Sequence, residues 1–130
     1  MHETTVAPAP EANRDVRLDA EKLDDAYRIA VESQTLSSSL LSGCNRRVLR
    51  DQLERGSVSA VLNIAKGAGR RSRADKRRFY STARGSATEC AAALDLLVAR
   101  RLAPTAECRK ARGLVVRIVQ MLTKLDRSLA

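Results

Sequence analysis

From Leu18 onward, apolar residues return at every third or fourth position, the period of helices that each bury one face. Leu23, Ala26, Ile29, Ala30, Leu36, Leu40 and Leu41 outline a first helix, weakened by Ser33, Ser37, Ser38 and Ser39 and stopped at Gly43. A second helix, over about residues 45–66, begins with Val48, Leu49, Gln52 and Leu53. It continues into the nearly all-apolar SVSAVLNIA, Ser57 to Ala65, a pattern that asks for burial on more than one side. Gly67 and Gly69 end it, with Gly67 as the residue just past the last turn. Ser72 followed by Asp75 resembles a capping box and opens a third helix at about 73–101, with Phe79, Ala83, Ser86, Cys90, Leu94 and Leu97 on its core face. Pro104 and Thr105 mark the last break. The fourth helix, about 105–129, carries an apolar stripe of Ala111, Val115, Ile118, Leu122, Leu125 and Leu129, with Arg109, Lys110, Arg117, Lys124 and Arg127 opposite. Four helices joined by short turns predict an all-α, antiparallel four-helix bundle spanning residues 17–130. Residues 1–16, rich in Pro, Ala and Glu and without apolar period, are expected to form a disordered leader. No internal repeat is present.

Composition narrows the chemistry. With one Phe, two Tyr and no Trp in 130 residues, the core must be aliphatic, which disfavours a β-sandwich. His2 is the only histidine, so a catalytic triad, a His-bearing zinc site or a di-iron bundle built on ExxH pairs lacks its central ligand. The acids Asp19, Glu21, Asp24 and Asp25 cluster on the weak first helix without a positioned partner, while Glu107 and Asp126 lie far apart. The expectation is a protein that is not an enzyme and holds no cofactor or metal. Cys44, Cys90 and Cys108 are odd in number and show no CxxC spacing, so they read as small apolar residues in a reducing cytoplasm. No apolar run is long enough to span a membrane, and residues 1–10 have neither the basic start nor the apolar stretch of a signal peptide.

Charge is the stronger signal. The chain has 24 Lys and Arg against 15 Asp and Glu, a net +9, but its segments differ: −4 over residues 1–43, +9 over 44–84 and +4 over 85–130. Arg70, Arg71, Arg73, Lys76, Arg77, Arg78 and Arg84 are opposed only by Asp75 within fifteen residues. At about 100° per residue, Arg73, Lys76, Arg77, Tyr80 and Arg84 share one exposed strip beside the Phe79 stripe. Cations at the start of a helix oppose its dipole, and six of these seven are Arg, suited to bidentate phosphate or carboxylate contact. Such a strip points to an anionic macromolecule. The glycine turn Gly67–Ser72 lacks the spacing and the preceding strand of a P-loop. Ser59 and Asn63 are placed to hydrogen-bond each other or a neighbouring helix.

Residues 52–102 resemble the intervening-sequence family of small four-helix-bundle proteins, some encoded within insertions in bacterial large-subunit ribosomal RNA genes. Gln52-Leu53, Val58-Ser59, Asn63-Ile64-Ala65, Gly67, Gly69-Arg70, Ser72, Phe79, Ala83, Gly85-Ser86 and Glu89 carry the resemblance. Lys66 stands where the family usually has Glu, Val61 where Pro is common, and the aromatic that often opens the first helix is absent. The resemblance implies a ring-like homopentamer. It also implies kinship with the accessory variability protein of diversity-generating retroelements, a basic barrel that binds nucleic acid and a reverse transcriptase. It brings no catalytic residues.

Together these features lead to an oligomeric basic bundle that binds RNA or DNA backbone through Arg70–Arg84 with little sequence preference, accessory to a reverse transcriptase or to ribosomal RNA. Tyr80 is the only aromatic in the strip, which argues against base stacking. The alternative is a protein–protein adaptor whose basic strip docks an acidic protein or the acidic first helix of a neighbouring subunit.

Overall fold

The computed structural model describes the backbone of residues 11–44 and 46–130, and side-chain surroundings from residue 21 onward apart from positions 43 and 45. Helix α1 spans Glu11–Leu40 and runs into a single 3-10 turn, Leu41–Gly43; α2 spans Arg47–Ala68, α3 Arg73–Ala99 and α4 Thr105–Leu129. No strand occurs among the described residues. Residues 11–16 of the expected leader belong to α1, whereas residues 1–10, with His2, lie outside the described residues.

Each helix packs on two others: α1 on α2, α2 on α3, α3 on α4, and α4 back on α1. Cross-helix pairs fix the directions. Arg77 near the start of α3 meets Asp126 near the end of α4, while Asp95 late in α3 meets Arg112 early in α4. Likewise Gln34 of α1 donates to Glu54 of α2, and Gly56 and Gly67 of α2 lie against Cys90 and Tyr80 of α3 in that reversed order. The helices are antiparallel throughout.

Cys108, Ala111, Val115, Ile118, Leu122 and Leu125 form the buried side of α4 in alternating steps of three and four. On α3 the same rhythm runs through Tyr80, Ala83, Ala87, Cys90, Leu94 and Leu97. That rhythm sets left-handed, knobs-into-holes packing of a bundle. The expected α3 stripe is therefore rotated by about one residue at its start: Tyr80 is buried at 3% exposure, and Phe79 and Ser86 lie half-buried at the edge. Small residues let α2 and α3 come close. A Cβ at Gly56 would sit 2.8 Å from the Cys90 Sγ and 3.3 Å from the Ser86 carbonyl oxygen. All three cysteines are buried and unbridged. Ser59 and Ser86 hydrogen-bond across α2 and α3 at 2.8 Å, and Asn63 Nδ2 donates to the Ser59 carbonyl at 2.9 Å and its Oγ at 3.1 Å. Helix α3 closes on a Schellman turn: Leu102 N–H donates to Leu97 O at 2.9 Å and Arg101 N–H to Val98 O at 3.1 Å. Arg101 holds the left-handed position at φ 55°, where glycine is the usual occupant.

Candidate nucleic-acid interface

The basic residues gather at the corner where α2 gives way to α3. Helix α2 does not stop at Gly67, as its sequence suggests, but continues to Ala68 with Gly69 as its C-cap. Gly67 is buried inside the helix for a different reason. The ring of Tyr80 lies on it, and a Cβ there would stand 2.4 Å from Tyr80 Cε1. Ser72 then caps α3 by accepting the Asp75 N–H at 3.0 Å, the first half of the expected capping box. Lys76 turns back across the corner and donates to the Gly67 and Ala68 carbonyls at 3.3 and 3.2 Å. An ammonium there satisfies the Ala68 carbonyl, joins the Arg70 N–H on the Gly67 carbonyl, and meets the negative end of the α2 dipole. Lys66, exposed in the same last turn, adds to that effect.

The seven basic residues do not form one continuous strip. Arg77 donates to Asp126 from Nε at 2.9 Å and from Nη2 at 3.4 Å, joining α3 to α4. This hydrogen bond, and the charge behind it, holds the Asp126 carboxyl below the usual aspartate range and pushes Arg77 upward. Arg84 donates to Thr123 Oγ1 at 3.3 Å, also on α4. Lys76, Arg77 and Arg84 thus face internal partners. Arg70, Arg71, Arg73 and Arg78 are exposed at the corner. Arg71 and Arg73 have no side-chain ion-pair partner among the described residues, and Arg78 reaches Asp75 at 3.5 Å across exposed surface. Such an exposed pair contributes little.

Tyr80 leaves the strip altogether: it is core, and burial raises its phenol pKa. Its neighbour Phe79 takes its place at the surface. The Arg70 guanidinium carbon lies 4.7 Å and that of Arg78 4.6 Å from the Phe79 ring centroid. The sequence signal for this role is the lone Phe set directly after an arginine run. No local signal marks Asp126, which sits 49 residues from Arg77.

A second surface feature lies between α1 and α2. Tyr27, Val31, Val58 and Leu62 are exposed by 41, 39, 38 and 50%, and they line the groove between α1 and α2. No helix among the described residues is long and apolar enough to cross a membrane.

A bundle with an arginine-rich corner and an apolar groove between α1 and α2 defines the class: a small all-α protein whose distinguishing features are surfaces. The chain belongs to the 23S rRNA-intervening sequence protein family, whose model matches residues 19–124. Its fold is similar to the crystal structure of a protein of unknown function from the S23 ribosomal protein family of Bacteroides thetaiotaomicron VPI-5482. That likeness has a TM-score of 0.68 and 22% identity, covering 84% of this chain and 97% of that one. No curated protein matches the chain.

Proposed function

We propose that this protein is a non-enzymatic, self-associating basic bundle that binds the backbone of RNA or DNA with little sequence preference. The observation that carries the reading is the corner of Arg70, Arg71, Arg73 and Arg78, where four exposed guanidinium groups meet a single acid, Asp75, and the positive end of the α3 dipole. Like charges concentrated this way oppose the local fold, and a polyanion relieves them. Guanidinium edges match phosphate oxygens two at a time. The family's description refers to 23S rRNA, which makes RNA the first ligand to try; a role beside ribosomal RNA or a reverse transcriptase is consistent with that chemistry.

The test is a gel-shift comparison at low salt of the full chain and a variant with Arg70, Arg71, Arg73 and Arg78 changed to Ala. Retention of RNA by the first and loss by the second supports the reading. Equal binding by both, or none by either, removes it and leaves the protein–protein adaptor.

Self-association is the second part of the proposal. It rests on the apolar stripe of Tyr27, Val31, Val58 and Leu62, since contiguous exposed apolar residues favour association, and on the ring-like homopentamer that the family resemblance implies. Light scattering should give five times the 14.2 kDa chain mass for the native protein, and a smaller species for Val58→Glu with Leu62→Glu. A monomeric native protein would contradict it.

A further inference from the structure

We infer that Phe79 is a positioning residue which holds Arg70 and Arg78 as a two-guanidinium clamp on neighbouring phosphates of a nucleic-acid strand. The clamp presupposes the backbone-binding function proposed above and assigns its contacts. A guanidinium has two chemically distinct surfaces. Its flat face is drawn to an aromatic ring, and its edge carries the N–H donors that take a phosphate two oxygens at a time. The guanidinium carbons of Arg70 and Arg78 lie 4.7 and 4.6 Å from one ring centroid, within cation–π reach, and a guanidinium that gives its face to the ring keeps its edge for a ligand. Sharing one ring also keeps the two charges less than twice that distance apart. In the uncomplexed protein this proximity is repulsive, and Asp75, 3.5 Å from Arg78 across exposed surface, screens it weakly. A phosphodiester strand supplies the missing negative charge at both guanidinium edges.

The ring does more than fill space. Arg70 comes from the turn before α3 and Arg78 from its second turn, and both side chains have many rotamers. Stacking on a common, half-buried ring orders them before the ligand arrives, which lowers the entropy lost on binding. Because guanidinium groups occupy the ring, a nucleobase stacks there only by displacing one of them. The clamp therefore reads backbone, not base.

The experiment uses the full chain and labelled single-stranded oligonucleotides of one length, with natural bases or abasic throughout, titrated at several salt concentrations. The abasic strand should bind as well as the natural one. Arg70→Ala and Arg78→Ala should each flatten the plot of log K against log salt by about 0.7. Phe79→Leu, which keeps apolar bulk but removes the π face, should weaken binding about fivefold with the thermal midpoint unchanged, and Phe79→Tyr should restore native affinity. Native affinity in Phe79→Leu, or a natural strand bound more than about tenfold better than an abasic one, overturns the clamp. A salt slope that neither Arg substitution flattens overturns the clamp alone; failure of the native chain to bind either strand overturns the backbone-binding function as well.

Discussion

Replacing Gly67 by Ala should destabilise the protein, although the same change at Gly85 or Gly113 should stabilise it. A Cβ at position 67 would lie 2.4 Å from Tyr80 Cε1, 2.8 Å from Cδ1 and 3.1 Å from Cζ, where carbon atoms normally rest about 3.5–4 Å apart. The ring must retreat by roughly 1 Å, and at 3% exposure Tyr80 has little space to retreat into. Overpacking on this scale costs about 3 kcal/mol, and the helix propensity gained from Ala returns about 1, for a net loss of about 2 kcal/mol. For a chain of this size that corresponds to a thermal midpoint lower by about 8 °C. Gly85 on α3 and Gly113 on α4 provide the controls: both are exposed and a Cβ at either would meet nothing within 4 Å, so Ala there should add about 1 kcal/mol each. Urea denaturation followed by circular dichroism measures all three. Combining Gly67→Ala with Tyr80→Leu removes the clash, so the double variant should lose less than the sum of its parts. Gly67→Ala as stable as Gly85→Ala, or a strictly additive double variant, would refute the close approach of α2 and Tyr80 that fixes the arginine corner.

Arg101→Gly should raise stability by about 1 kcal/mol, because the left-handed position at the end of α3 penalises a side chain; an unchanged denaturation midpoint would contradict the Schellman turn. Ser37→Ala should be neutral to stabilising by about 1 kcal/mol, since the buried Ser37 Oγ has no hydrogen-bond partner and Ala favours the helix; a loss above about 1 kcal/mol would show that the hydroxyl is satisfied. The Arg77–Asp126 pair stabilises the fold only while Asp126 is ionised. Because its native pKa lies below the unfolded value, that contribution is complete above the ordinary aspartate range and disappears as pH falls through the lowered native value. Denaturation midpoints of the native protein and Asp126→Asn should therefore converge in acid, and a constant gap at every pH would contradict the pair. Asp126→Asn should also tighten RNA binding at low salt by releasing Arg77, with a steeper salt dependence; weaker binding would contradict that engagement.

Strong periodicity made much of the bundle legible from the residues alone. The α4 stripe Ala111, Val115, Ile118, Leu122 and Leu125 is buried as its spacing predicts, and the Ser72 cap and the break before Thr105 fall where their residue types place them. Helix α3 misled because its core face is mostly Ala and Cys. With so little contrast, one large aromatic sets the apparent phase, and Phe79 and Tyr80 exchange roles. Gly67 misled because glycine ends helices more often than it admits a ring, and only the packing of α3 on α2 tells the two apart. The basic run was plain in the sequence. Its division into stitching residues and corner residues was not, because Asp126 and Thr123 reach it only through the antiparallel fold.

The salt dependence of RNA affinity tests the central claim most directly. With four phosphate contacts from Arg70, Arg71, Arg73 and Arg78, fluorescence anisotropy between about 50 and 200 mM salt should give a slope of log K against log salt near −2.8 for a single strand, and one close to zero when all four are Ala. A slope shared by the native protein and the variant, or an affinity indifferent to salt, would contradict it.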